Sequence, residues 1–236
     1  TTGADGTVTA AGLQKGTYYA KEIPTDDPFW EFDTAVKSVT VAVGQTAEVT
    51  FTNTHYGRIE FRKTTNTGNQ LGGWTFRVRD SEGNSYGDFT TDDNGYACTE
   101  NLPLGRYTVV ELLTEDNYWL TELGFHDVTV KAGETTVDTW LNKEQGLAWF
   151  YKKTNTGQSV EGWHITVYSD EACTQKVGTL ITNADGKAGY YLDPGTYWAK
   201  ETGDEHGRFE DEYWMVDETV QRFEIKPHED VAITFT

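Results

Sequence analysis

Hydrophobic and polar residues alternate in short runs along this chain. Trp74-Thr75-Phe76-Arg77-Val78, Tyr107-Thr108-Val109-Val110-Glu111 and Val128-Thr129-Val130 are each bounded by Gly, Asn or Asp nearby. A period of two with such boundaries predicts half-buried β-strands, and no stretch sustains a helical period. Whole patterns then recur. Gly16-Thr17-Tyr18-Tyr19-Ala20-Lys21-Glu22 aligns with Gly105-Arg106-Tyr107-Thr108-Val109-Val110-Glu111 and with Gly195-Thr196-Tyr197-Trp198-Ala199-Lys200-Glu201. A turn ending in Gly6, Gly95 or Gly186 precedes each, and an aromatic-Trp pair follows at Phe29-Trp30, Tyr118-Trp119 and Tyr213-Trp214. Glu111 lies 89 positions after Glu22, and Glu201 lies 90 after Glu111. A period that long describes an array of like domains rather than a solenoid of short repeats, and it overrides the one or two domains that length alone allows.

The repeat frames residues 56–144 as one complete unit, 145–236 as a second, and 1–55 as the C-terminal half of an earlier one. Some seven short strands in about 90 residues predict an all-β fold of tandem antiparallel sandwiches. No Pro- or Ser-rich linker separates the units, so a stiff rod is expected. The half-unit leaves open sheet edges, which an upstream segment or another polypeptide has to complete.

Alternation also assigns faces. Ile59, Phe61 and Lys63 share one face, as do Ala148, Phe150 and Lys152. Tyr107, Val109 and Glu111 share another, matched by Tyr197, Ala199, Glu201 and by Tyr18, Ala20, Glu22. Val49, Phe51 and Asn53 do the same in the half-unit, and Trp140 and Asn142 in the complete one. A Lys, a Glu and an Asn therefore each continue an inward apolar stripe. Three readings are open. The stripe can end at water, or the Lys and Glu can form a buried ion pair, an arrangement that often fails to repay its desolvation. In the third, burial lowers the Lys pKa and raises that of Glu until the proton crosses over. The neutral amine then attacks the Asn side-chain amide, polarised by the carboxylic acid, and ammonia leaves.

The order of Lys on the first strand, G-x-Y-x-x-x-E in the middle and Asn on the last strand resembles the CnaB-type (prealbumin-like, SpaA-type) domains of Gram-positive surface adhesins and pilins. The resemblance covers the whole chain. It implies an extracellular, cell-wall-anchored stalk whose domains each staple their first strand to their last by a Lys–Asn isopeptide bond. Carried over, it makes Lys63 the nucleophile, Glu111 the proton shuttle and Asn142 the acceptor. The next unit has Lys152 and Glu201, with its acceptor one place beyond Thr236, since Thr234-Phe235-Thr236 matches Thr50-Phe51-Thr52 ahead of Asn53. The half-unit has Glu22 and Asn53, and its lysine falls before Thr1. Lys153 is the weaker candidate, because alternation turns it outward. Each bond forms once, so this is no turnover enzyme, and neither cofactor nor metal is implied. The partners implied are neighbouring repeats, with any host or glycan ligand elsewhere in the parent protein.

Composition narrows the alternatives. Thirty-eight acidic against 19 basic residues give a net charge of −19, which disfavours nucleic acid and anionic lipid. No apolar run reaches the length of a membrane span. The chain begins at Thr1 without Met or signal peptide, so it is expected to be a piece of a longer protein. It carries no sorting signal. Cys98 and Cys173 occupy non-equivalent positions and are not expected to pair, and the five histidines form no metal spacing. Asp92-Asp93-Asn94-Gly95 and Asn183-Ala184-Asp185-Gly186 read as turns, because a calcium loop needs a downstream bidentate Glu. Of eight tryptophans, Trp74 matches Trp163, and Trp30, Trp119 and Trp214 match each other, as packing positions would. Trp149 and Trp198 break the repeat. They leave a carbohydrate- or host-ligand-binding sandwich as the alternative function.

Overall fold

The computed structural model describes residues 1–236. Residues 1–55, the segment expected from the repeat to be a half-unit, contribute β1 (Gly16–Ala20), β2 (Trp30–Glu31), β3 (Lys37–Val41) and β4 (Thr54–His55), paired β1 with β3 and β2 with β4. Next come β5 (Arg58–Thr65), β6 (Thr75–Asp80), β7 (Ser85–Thr90), β8 (Tyr96–Cys98), β9 (Gly105–Glu111), β10 (Trp119–Leu120), β11 (His126–Val130) and β12 (Thr135–Glu144). They form two facing sheets, ordered β10-β12-β5-β8 and β11-β9-β6-β7. The last stretch repeats the plan with β13 (Gly146–Lys152), β14 (Trp163–Tyr168), β15 (Lys176–Ile181), β16 (Lys187–Leu192), β17 (Gly195–Asp204), β18 (Gln221–Ile225) and β19 (Asp230–Phe235). Its sheets run β16-β13-β19 and β15-β14-β17-β18. One 3-10 turn, Arg208–Glu210, is the only helical element.

The architecture is the tandem all-β sandwich that alternation predicts. Pairing is antiparallel except once per complete unit, where the first strand lies parallel to the last: β5 beside β12, and β13 beside β19. Parallel neighbours need a long connection between them, and the remainder of the unit supplies it. The chain therefore enters at one end of the β5–β12 ladder and leaves at the other. Only Gln145 separates β12 from β13.

Inward positions of both sheets fill each core. Ile59, Phe61, Phe76, Val78, Val109 and Trp140 are fully buried in the middle unit, and Ala148, Phe150, Ile165, Val167, Ala199 and Phe235 in the last. Each large side chain of this kind contributes roughly 1.5–3 kcal/mol by leaving water. The tyrosine of each G-x-Y motif closes a turn, its hydroxyl donating to a carbonyl four residues back: Tyr18 to Gln14, Tyr107 to Pro103 and Tyr197 to Asp193, at 2.8–2.9 Å. Both cysteines are free.

The opening glycine of each complete unit permits the tightest backbone approach. A Cβ on Gly146 would lie 2.3 Å from the Lys226 carbonyl oxygen, and one on Gly57 would lie 2.3 Å from that of Lys131. Neither neighbour is a flexible side-chain tip, so β13 has to shift. Gly146→Val is expected to destabilise the last unit by about 2 kcal/mol or more, read as a fall in its melting temperature.

Candidate functional site

Alternation places Lys63 two positions beyond Phe61 on β5, and Asn142 two beyond Trp140 on the adjacent β12, where Lys63 pairs with Trp140. Glu111 comes from the opposite sheet, at the end of β9. All three meet inside the sandwich. Lys63 Nζ donates to Glu111 Oε1 at 2.6 Å, and Asn142 Nδ2 donates to the same oxygen at 3.1 Å. The Lys63 and Glu111 side chains are wholly shielded from solvent, and Asn142 is 0% exposed. Glu111 Oε2 has no hydrogen-bond partner.

Burial is the dominant influence on both charges. It pulls Lys63 below the usual lysine range, although the hydrogen bond and charge of Glu111 act the other way. It pushes Glu111 above the usual carboxylate range, against Lys63 and the Asn142 amide. Both shifts favour the amine–carboxylic acid form over the ion pair.

Indole rings form the wall. Lys63 Nζ lies 4.6 Å from the centre of the Trp74 ring, and Lys152 Nζ lies 4.2 Å from that of Trp163. Trp74 Nε1 donates to the carbonyl of Gln70, and Trp163 Nε1 to that of Ser159; both acceptor residues hold left-handed backbone, φ 52° and 56°. Thr91 and Thr182, each just ahead of a Gly-ended turn, accept the Trp74 and Trp163 backbone N–H groups on Oγ1. Trp119 packs edge-on to Trp74 and Trp214 edge-on to Trp163, so in each complete unit a second tryptophan backs the ring that covers the buried lysine.

The other named residues fall in corresponding places. Lys152 Nζ lies 2.7 Å from Glu201 Oε1, both buried, and burial again raises the Glu201 pKa. Glu201 Oε2 accepts from the Asp217 backbone N–H. In the half-unit, Asn53 Nδ2 donates to Glu22 Oε1 at 2.7 Å, and Glu22 Oε2 is buried without a partner. Lys153 is exposed. Trp149 and Trp198 are half-buried, and the Trp149 ring carries Lys187 Nζ 3.6 Å from its centre while its Nε1 donates to Asp230. That ring face is already occupied.

One detail differs from the sequence expectation. Glu111 does not polarise the Asn142 carbonyl. Asn142 Oδ1 accepts instead from the Glu122 backbone N–H at 3.0 Å. A backbone N–H can only donate, which fixes the oxygen on that side and turns Nδ2 toward Glu111. The same arrangement recurs in the half-unit, where Asn53 Oδ1 accepts from the Asp33 N–H at 2.9 Å.

Sequence reasoning passed over Asp33, Glu122 and Asp217, each three positions after a repeated tryptophan. It also passed over Glu144, a buried carboxylate that takes hydrogen bonds from Thr67 and Gln70 and contacts His228 of the last unit at 2.8 Å. No group of side chains has the makings of a metal site, and no helix is long and apolar enough to cross a membrane.

Two closed sandwiches of one plan, each with a buried Lys–Glu pair beneath a tryptophan lid, define tandem prealbumin-like domains. The family model described as "SpaA: Prealbumin-like fold domain" matches residues 57–144 and 149–236, and the chain belongs to that family. Among solved structures it is similar to the Bacillus anthracis TIE protein (23% identity, TM-score 0.40), covering 86% of this chain and 38% of that one. It thus spans well under half of the TIE chain. It is also similar to a streptococcal ancillary pilin (19% identity, TM-score 0.37, 95% of this chain and 76% of that one). The shaft pilin SpaA of Lactobacillus rhamnosus GG matches at 15% identity and a TM-score of 0.32, over 76% of this chain and 97% of that one. No curated protein matches the chain.

Proposed function

We propose that this chain is a run of pilin-like stalk units, divided at 1–55, 56–144 and 145–236, from a cell-wall-anchored Gram-positive surface protein. Each unit is stapled by an autocatalytic Lys–Asn isopeptide bond. The observation that carries the reading is Glu111 Oε1 within hydrogen-bond reach of both reacting nitrogens, 2.6 Å from Lys63 Nζ and 3.1 Å from Asn142 Nδ2, in a site closed to water.

The chemistry follows from that one oxygen. Lys63 passes a proton to Glu111 and becomes a neutral amine. Its Nζ lone pair attacks Asn142 Cγ, and the negative charge gathers on Oδ1, where the Glu122 N–H already points. Glu111 delivers its proton to Nδ2, the Cγ–Nδ2 bond breaks, and ammonia departs. The second Nζ proton returns to the Glu111 carboxylate, leaving one amide N–H. Fixed proximity supplies most of the rate, an effect worth up to about 10⁵–10⁸ M in effective concentration. Lys152 and Glu201 take the same roles in the last unit, and Glu22 and Asn53 in the half-unit.

A tryptic digest of the denatured chain is expected to hold a branched peptide joining the Lys63 segment to the Asn142 segment, sequenced by tandem mass spectrometry. Finding both segments only as separate linear peptides, with Asn142 intact, defeats the reading. Tryptophan fluorescence is expected to stay flat through titration with glycans, whereas a saturable change favours the ligand-binding alternative.

A further inference from the structure

The acidic residue three positions after each repeated tryptophan sits in a loop, outside any alternating stripe, yet in all three units it reaches the last strand or its acceptor amide. In the middle unit the Glu122 carboxylate accepts the Leu141 backbone N–H at 3.1 Å, while its own backbone N–H donates to Asn142 Oδ1 at 3.0 Å. Leu141 immediately precedes Asn142, so the two bonds form a reciprocal clamp across the end of the last strand. In the half-unit, Asp33 donates its backbone N–H to Asn53 Oδ1 at 2.9 Å, while its carboxylate takes the Lys37 ammonium and the Ala35 N–H. In the last unit, Asp217 accepts from Thr236 at 3.1 Å and donates to Glu201 Oε2. Between them the other two units repeat each half of this exchange, Asp33 the bond to the acceptor oxygen and Asp217 the bond to the strand, which a loop needing only a turn residue would not do.

We propose that Glu122, with Asp33 and Asp217 in their units, is a positioning residue for the acceptor amide. Its carboxylate holds the acceptor strand so that its backbone N–H meets the oxygen that becomes the oxyanion, and Nδ2 is left facing Glu111. This rests on the isopeptide reading and adds to it a residue that touches the acceptor only through its backbone. A pre-placed N–H at a developing oxyanion acts without reorganisation during reaction. Glu122 takes up and gives off no proton in the balanced step.

Charge gives a second, separable effect. The groups facing Glu122 are Lys63, Glu111 and His126, the last held on its other nitrogen by Asp138 at 2.7 Å and stacked on Trp140. The Glu122 anion raises the pKa of both Lys63 and Glu111. The pair therefore keeps its one shared proton over a range displaced to higher pH. Removing that charge moves both limits of the reactive range downward.

The full chain, made by cell-free translation and quenched at intervals into acidic denaturant, reports ring closure as loss of one ammonia in intact mass. Glu122→Ala is expected to close roughly tenfold to a hundredfold more slowly than wild type, with β-sheet circular dichroism retained. Glu122→Gln keeps an acceptor for the Leu141 N–H but not the charge. It is expected to keep most of the rate at its own optimum, with the bell-shaped pH profile moved to lower pH. Closure of Glu122→Ala at the wild-type rate overturns the proposal. So does equal slowing of both variants with an unmoved profile, which marks a purely structural loop. Should Glu122→Ala fail to fold, the rate and profile of Glu122→Gln decide. A wild-type chain that never loses ammonia removes the isopeptide reading and this proposal together.

Discussion

Pulled by its two ends, the middle unit is expected to give no unfolding step that releases the chain between Lys63 and Asn142. The parallel pairing of β5 with β12 sets the path of the force. With the proposed staple in place, load enters at the start of β5, climbs to Lys63, crosses the side-chain amide to Asn142 and leaves through Glu144. The residues between the two cross-linked positions lie off that path. Without the bond, pulling shears the β5–β12 ladder, and the freed segment adds about 260 Å of contour at full extension. Single-molecule pulling separates the cases. Asn142→Ala should show the long release in the middle unit, and wild type should not.

Thermal melting carries the second large effect. Asn142 lies 79 positions after Lys63, and closing a loop of that size in the unfolded chain is worth about 4 kcal/mol. For a unit of this size that corresponds to about 20 °C in melting temperature. Asn142→Ala removes the proposed bond and leaves the Lys63–Glu111 pair. Glu111→Ala prevents the proposed bond and also strands a wholly buried amine, an additional penalty of about 3 kcal/mol. The predicted order is therefore wild type highest, Asn142→Ala well below, and Glu111→Ala lowest. Equal melting of wild type and Asn142→Ala would show that no covalent closure supports the unit.

Much of the site was legible because period-two alternation carries face information. Ile59-x-Phe61-x-Lys63 and Tyr107-x-Val109-x-Glu111 each run an apolar stripe into a charged residue, and all six side chains are buried. Recurrence about 90 positions on turned single coincidences into a pattern. Strand direction was not legible, since alternation is the same read either way, and the parallel β5–β12 and β13–β19 pairs emerge only in three dimensions. The orientation of the Asn142 amide was likewise hidden. It is set by a backbone N–H whose position depends on the fold of the loop after Trp119. Glu122 escaped notice for the same reason: it belongs to no stripe, and acidic residues are common in so acidic a chain. The signal that could have found it is its constant distance from the repeated tryptophan in all three units.

The most direct test is the intact mass of the 236-residue chain under denaturing conditions, beside that of Glu111→Ala. Lys63, Glu111 and Asn142 form the one complete set, so wild type is expected to fall short of its sequence mass by one ammonia, and Glu111→Ala to match its sequence mass in full. A wild-type mass equal to the plain sequence would contradict the central claim, leaving the middle unit with a buried Lys–Glu–Asn hydrogen-bonded cluster and no staple.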